Sequence, residues 1–128
     1  MSANKSKLAI LLWSADPGRA ELCAAPFVYA TTAAAIDCEV EIHFAGRAVR
    51  LLVAGVAAGL TPCEDRSATV YDFMRQASDL GVRFLACAMA QKAHVGESER
   101  MIAEFGGVAG AAVFTARVLD PEWATMIF

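Results

Sequence analysis

The most informative pattern in the sequence lies in residues 81–94, GVRFLACAMAQKAH. Residues 82–86 form a short run dominated by apolar side chains, which predicts a buried strand. The following segment, Ala88–His94, is rich in residues that favour helix. Cys87 therefore stands where a buried strand ends and a helix begins.

This position gives Cys87 two interpretations. The unpaired N–H groups and the dipole at the start of a helix favour a thiolate over a thiol. In open α/β sheets, ligands also bind at the carboxyl ends of strands. Cys87 is then a reactive cysteine. Alternatively it is a small buried hydrophobic residue, as free cysteines often are. Position alone leaves both interpretations open.

Strand and helix patterns alternate along the rest of the chain. Strands are predicted at residues 7–14, 38–44, 82–86, 111–114 and 123–128. Helices are predicted from about residue 26 to 36 and at residues 45–60, 67–80, 88–94 and 97–105, the last of them stopped by Gly106 and Gly107. Charged and apolar residues alternate along residues 38–44, which predicts a strand at a sheet edge. The whole pattern predicts an α/β fold with a mostly parallel sheet and helices on both faces.

Composition limits the class of protein. The chain has 128 residues, which predicts one domain over residues 1–128. Its hydrophobic fraction of 57% is high, so apolar surface is either wrapped around the sheet or covered by other subunits. The net charge is −3 and no basic run occurs, which argues against a nucleic-acid partner. The longest apolar stretch, residues 51–60, is too short to span a membrane.

The four cysteines, at positions 23, 38, 63 and 87, form no CxxC pair. Neither His43 nor His94 lies at zinc-finger spacing from a cysteine, so we expect no metal site. No export signal is visible and a chain of this size does not need disulfides. We therefore expect free thiols and a cytoplasmic location.

Two groups of segments resemble a known family. Residues 25–30, APFVYA, begin a proline-led, alanine-rich helix that runs into the strand VEIHF at residues 40–44. Residues 81–87, GVRFLAC, are followed by a helix and then by the small-residue segment GAAVF at residues 110–114. In this order the segments resemble the DsrE/DsrF-like sulfur-relay proteins, and the resemblance covers nearly the whole chain.

The resemblance implies a three-layer α/β/α sandwich with a five-stranded sheet. It implies that Cys87 carries sulfur as a persulfide between a donor and an acceptor protein, and that the chain assembles as a trimer or hexamer. We expect no cofactor. One departure is the run Ala88-Met89-Ala90 after the cysteine, where the family often has polar residues. A drier pocket would raise the thiol pKa through desolvation.

Other residues are candidates for the surroundings of Cys87. Trp13 and Ser14 end the first predicted strand and should share a sheet end with Cys87, and Met89 and His94 follow it in the next helix. His94 is seven residues from Cys87, about 10 Å along a helix, which is too far for direct proton transfer. A solvated surface histidine is therefore the favoured interpretation of His94.

The remaining cysteines and histidine have simpler interpretations. Cys63, in a loop, is a possible second thiol for Cys87. Cys23 and Cys38 are interpreted as packing residues. His43 is interpreted as a structural residue of the second strand.

The leading functional hypothesis is a sulfur carrier or sulfurtransferase-like protein. A non-catalytic subunit of an oligomeric assembly is one alternative. A small-molecule binding module at the strand-end crevice is another. Thiol reactivity separates the first hypothesis from the other two.

Overall fold

The predicted strand patterns build one five-stranded sheet. The computed structural model of this protein describes residues 6–65 and 67–128, so residues 1–5 and 66 of the predicted domain lie outside the described residues. The strands are β1 (Lys7–Leu12), β2 (Glu39–Phe44), β3 (Arg83–Cys87), β4 (Phe105–Ala109) and β5 (Trp123–Ile127). They are ordered β4-β3-β2-β1-β5, and every neighbouring pair is parallel. The predicted α/β class is confirmed.

The helical segments connect these strands. The α-helices are α1 (Ala25–Ala35), α2 (Val70–Asp79), α3 (Ala88–His94) and α4 (Ala111–Leu119). Three 3-10 segments lie at Ala20–Leu22, Gly46–Leu52 and Ala57–Gly59. None of the helices in the described residues is both long and apolar enough to cross a lipid bilayer.

The strand order explains which helices cover which face. From β1 to β4 the chain moves one strand at a time in the same direction, and right-handed crossovers place those connections on one face. From β4 to β5 it returns across the whole sheet, so α4 covers the opposite face. The result is the three-layer sandwich.

Each face has its own core. In the larger core, the ring of Phe27 on α1 packs against the rings of Phe44 and Phe84, and its centroid is 6.0 Å from each of theirs. Beneath α4 a smaller cluster joins Phe114 to Ala9 and Trp123. A one-residue slip would move every core side chain to the opposite face of the sheet, so the different packing on the two faces fixes the strand register.

The prediction that residues 38–44 form an edge strand is wrong. β2 lies in the middle of the sheet, between β3 and β1. Its polar residues Glu41 and His43 are only 2% and 3% exposed. They alternate with apolar residues, as on an exposed face, but α4 covers this face, and each has a charged or hydrogen-bonding partner that offsets the cost of burial.

The helix predicted at residues 97–105 is also wrong. Residues 97–104 form turns, and Met101 bridges to Val53 in an antiparallel contact. Gly106 and Gly107 belong to β4 instead of ending a helix. A Cβ on Gly106 would lie 2.8 Å from the carbonyl oxygen of Phe84, and Gly107 has a φ of +120°, so both positions need glycine.

Two further predictions fail for local reasons. The predicted strand at residues 111–114 is the first half of α4, because alanine favours helix over strand and Gly110 provides the start. The predicted helix at residues 45–60 is divided into two 3-10 segments. Gly55, with a φ of +88°, and the Val53–Met101 bridge interrupt it.

Candidate functional site

A cavity opens where β2, β3 and β4 end, beneath the first turn of α4. Its volume is about 280 Å³. The residues that line it are mostly small or apolar, with one thiol, one imidazole and one hydroxyl: Leu11, His43, Ala45, Cys87, Ala109, Gly110, Ala111, Phe114 and Thr115. The strand ends meet here because the sheet is parallel, so the cavity occupies the usual ligand position of an open α/β sheet.

Cys87 lies on the wall of this cavity. It is the last residue of β3 and the residue that precedes α3, with φ −64° and ψ 128°. Its side chain is partly buried and it forms no disulfide. α3 has seven residues, so the helix behind the thiol is short. The sequence prediction of a cysteine between a strand and a helix is confirmed as a position in the fold.

His43 reaches the same cavity from the neighbouring strand. It is opposite Leu85 in the β2–β3 register, and Cys87 lies two residues further along β3. Side chains two residues apart on a strand share a face, so His43 and Cys87 point to the same side of the sheet. The ring of Phe114 packs edge-on against the imidazole, with centroids 5.3 Å apart.

Glu41 lies behind His43 and joins it to a basic residue of α4. Nε2 of His43 is 2.8 Å from Oε1 of Glu41, and Nε of Arg117 donates to the same oxygen at 2.8 Å. Arg83 approaches Oε2 at 3.8 Å. Arg117 also lies over the ring of Trp123, 4.3 Å from its centroid. The buried carboxylate therefore has three basic neighbours.

These contacts decide the charge of Glu41. Burial alone would raise the pKa of its carboxyl, but the hydrogen bonds from Arg117 and His43 outweigh burial and hold the pKa below its ordinary value. The hydrogen bond to Glu41 in turn raises the pKa of Arg117. Glu41 is consequently a carboxylate near neutral pH and acts as a hydrogen-bond acceptor only.

The N-terminal end of α4 closes the other side of the cavity. Gly110 precedes the helix and Ala111 begins it, and both residues line the cavity. Neither carries a side chain that could cap the first amides. The start of this nine-residue helix therefore presents a partial positive charge to any anion in the cavity.

The other predicted candidates lie elsewhere. Trp13 and Ser14 follow β1 and are exposed, Trp13 by 61%, and their amides both contact the carbonyl of Phe128. Met89 is 79% exposed on α3. His94 ends α3, where its backbone carbonyl accepts a hydrogen bond from Arg50. The structure places none of these four among the residues that line the cavity with Cys87.

The other three cysteines differ in their surroundings. Cys63 is exposed in a separate hollow with Glu21 and Glu64. Cys23 is buried, and burial, with the nearby charges of Asp16 and Glu21, raises the pKa of its thiol to about 11. Cys38 packs against the larger core. Of the four thiols, Cys87 alone lines the cavity at the strand ends.

The sequence analysis missed His43 as a cavity residue. Its local pattern, alternating with apolar residues on a strand, indicates only a face of a sheet. The available signal was its spacing from Glu41, two residues earlier on the same face. The partner that explains their burial, Arg117, is 76 residues away from Glu41 in the chain. Among the described residues, no three histidine, cysteine or acidic side chains group as metal ligands.

The fold and the site together place this protein among the α/β sandwich proteins that carry a cysteine at the carboxyl ends of a parallel sheet. The model of the DsrE/DsrF-like family matches residues 7–118, which is most of the chain. The protein belongs to the DsrE/DsrF-like family. No curated protein sequence matches the chain significantly.

Two solved structures are similar to this fold. The crystal structure of the ychN protein from E. coli superposes with a TM-score of 0.70 at 12% identity, covering 96% of this chain and 99% of that one. The structure of MTH1491, a protein of unknown function from Methanobacterium thermoautotrophicum, gives a TM-score of 0.62 at 17% identity, covering 95% and 98%. At these identities the similarity shows a shared fold.

Proposed function

We propose that this protein is a sulfur carrier that holds sulfur as a persulfide on Cys87 and passes it from a donor protein to an acceptor protein. The observation that supports this most directly is the position of Cys87 on the wall of a strand-end cavity. Membership of the DsrE/DsrF-like family supports the sulfur-relay class.

The cavity has the properties that a persulfide needs. A sulfur–sulfur bond is about 2.05 Å long, so the outer sulfur extends a short way into the free volume beside Cys87. Apolar walls from Leu11, Ala109 and Phe114 suit a large, polarisable and weakly hydrated sulfur. The start of α4 favours the anionic form of the persulfide by about 0.3 to 1 kcal/mol.

Two further properties belong to this proposal. We infer that the protein is a homo-oligomer, either a trimer or a hexamer, because large apolar side chains such as Ile36, Leu119 and Ile127 remain exposed on the single chain. We also infer that it works in the cytoplasm, where a reducing environment would keep its four thiols free.

Mass spectrometry after incubation with polysulfide or a donor persulfide tests the carrier function. The wild-type protein should gain about 32 Da, the mass of one sulfur atom, and a thiol reductant should remove it. Cys87→Ser should gain nothing at limiting donor. Cys63→Ser makes the same chemical change at an exposed cysteine outside the cavity, and it should gain sulfur like the wild type.

Equal uptake by Cys87→Ser and the wild type would contradict the proposal. A wild type that takes up no sulfur from any donor, but keeps its oligomer, would indicate the assembly subunit instead. Retention of a small molecule in the cavity without any sulfur adduct would indicate the binding module.

A further inference from the structure

The contact between His43 and Glu41 fixes the tautomer of the imidazole. Glu41 is an ionised carboxylate that only accepts hydrogen bonds, so Nε2 of His43 must carry the hydrogen in their 2.8 Å contact. In a neutral imidazole the other nitrogen, Nδ1, then has a free lone pair. Within the described part of the chain Nδ1 makes no hydrogen bond, although the His43 side chain is only 4% exposed.

This unpaired nitrogen belongs to a ring that lines the cavity with Cys87. Neighbouring strands lie about 4.8 Å apart and each residue advances about 3.3 Å, so the Cα atoms of His43 and Cys87 are about 8 Å apart. Both side chains leave the same face of the sheet and line the same cavity. At this separation, one water in the cavity is enough to relay a proton between the two side chains.

We propose that His43 is the proton-transfer residue for Cys87, with Glu41 and Arg117 as positioning residues; the inference rests on the proposed sulfur-carrier function. In the loading step Nδ1 takes the proton of the Cys87 thiol. The thiolate attacks the outer sulfur of a donor persulfide, R–S–SH. A new sulfur–sulfur bond forms at Cys87 and the donor sulfur–sulfur bond breaks.

The same proton completes the step. The leaving thiolate, R–S⁻, takes it from the imidazolium and departs as R–SH, while the transferred sulfur keeps its own hydrogen. No external oxidant or reductant is needed, because the sulfur–sulfur bond that breaks is replaced by the one that forms. His43 ends the step neutral, with Nδ1 ready for another proton.

The buried contacts among His43, Glu41 and Arg117 fix the orientation and tautomer that this proton transfer requires. Glu41 fixes the tautomer and stabilises the imidazolium that forms, as a carboxylate behind a catalytic histidine does in nucleophile–base–acid triads. The charged groups around His43 are Glu41 on its own strand, Arg83 on β3 and Arg117 on α4, while β1 opposes it with Leu11. Arg117 keeps Glu41 ionised and the side chain of Phe114 shields the ring from solvent.

The matched test uses the only two histidines of the chain. His43→Gln keeps a polar side chain of similar length, and His94→Gln makes the same change on α3, outside the cavity. The rate of sulfur uptake from a donor persulfide near pH 7 should fall about 100-fold in His43→Gln and stay unchanged in His94→Gln. The rate of Cys87 alkylation by iodoacetamide should fall about tenfold in His43→Gln at the same pH.

A pH profile separates proton transfer from a structural role. At alkaline pH, where thiols ionise without a base, the alkylation rates of wild type and His43→Gln should converge. A defect of equal size at every pH would indicate a distorted cavity and would overturn the inference. Equal rates at neutral pH would also overturn it. A wild type that takes up no sulfur would count against the carrier function, while the alkylation rates would still test His43.

A measurement on the unmodified protein covers the case in which His43→Gln fails to fold. Nitrogen-15 NMR of the imidazole distinguishes the two neutral tautomers. The neutral His43 ring should carry its hydrogen on Nε2, with Nδ1 unprotonated. A ring with its hydrogen on Nδ1 would remove the acceptor on which the proposal rests.

Discussion

Nε2 of His43 lies 2.8 Å from Oε1 of Glu41 in the middle of the sheet, where the two side chains are 4% and 2% exposed. A buried carboxylate is costly unless hydrogen-bonded positive groups compensate it. Here Arg117 compensates Glu41 from the helix above, and the pair holds the imidazole at the cavity that Cys87 also lines. This arrangement connects the stability of the fold to the chemistry of the site.

Cys87 is expected to be the most reactive of the four thiols. At limiting iodoacetamide near pH 7.5, peptide mapping should find the label on Cys87 before Cys63, although Cys63 is exposed. Cys23 should remain unlabelled, because a pKa of about 11 leaves roughly one thiolate in a few thousand at that pH. Labelling of Cys63 or Cys38 with Cys87 silent would argue against a reactive Cys87.

Loss of Arg117 should destabilise the fold. Arg117→Met keeps much of the aliphatic side chain but leaves the buried Glu41 carboxylate without its strongest partner, so the free energy of unfolding should fall by about 1.5 to 3 kcal/mol. Urea denaturation measures the change. Arg47→Met is the matched control, because its partner Asp16 is at the surface and the pair is solvent-screened. A loss in the control as large as in Arg117→Met would contradict the special role of the buried pair.

The stability of the protein should depend on the ionisation of Glu41 in acid. The folded pKa of Glu41 lies below its unfolded value of about 4.3, so folding favours the ionised form. The resulting stabilisation is fully present above the unfolded pKa and is lost as pH falls through the folded pKa. The wild type should therefore begin to lose its stability advantage over Glu41→Gln as pH falls below about 5, and should keep losing it as pH falls through the folded pKa.

Denaturation of both proteins at several acidic pH values tests whether the stability advantage of the wild type shrinks as pH falls. The other carboxylates are common to the two proteins, so the difference between them isolates position 41. An advantage of the wild type that grows as pH falls would show that Glu41 is protonated in the folded protein, which would also undermine the assigned tautomer of His43.

The sequence predicted the position of Cys87 well because the signal is local. An apolar run, a cysteine and a helix-forming segment follow each other within fourteen residues. His43 and Glu41 could not be placed in the same way. Their alternation with Val40, Ile42 and Phe44 is typical of an exposed face. Their burial depends on residues far away in the chain, above all on Arg117, which donates a hydrogen bond to Glu41.

The errors in the last third of the chain have a related cause. A pair of glycines often stops a helix, but here Gly106 lets β4 approach β3 closely. That role depends on the carbonyl of Phe84, which the local pattern around the glycines cannot reveal. Because β4 occupies residues 105–109, the alanine-rich segment after it is free to form α4, the helix that closes the cavity.

Gly106→Ala tests this role of glycine in the site. A Cβ at position 106 would lie 2.8 Å from the carbonyl oxygen of Phe84, and its other near neighbours are also Phe84 backbone atoms, which cannot rotate away as a side chain could. The free energy of unfolding should fall by about 1 to 3 kcal/mol, the usual cost of overpacking. Gly59→Ala, where the new Cβ meets no heavy atom within 4 Å, is the matched control and should cost far less.

The same substitution should disturb Cys87, because Cys87 pairs with Ala109 three residues beyond Gly106 on β4. A strand pushed away from β3 would move Ala109 and Gly110, which both line the cavity. The rate of Cys87 alkylation should therefore change in folded Gly106→Ala and stay constant in Gly59→Ala. Loss of stability without any change in Cys87 reactivity would show that the close β3–β4 contact supports the fold alone. An unchanged free energy of unfolding would contradict the close approach itself.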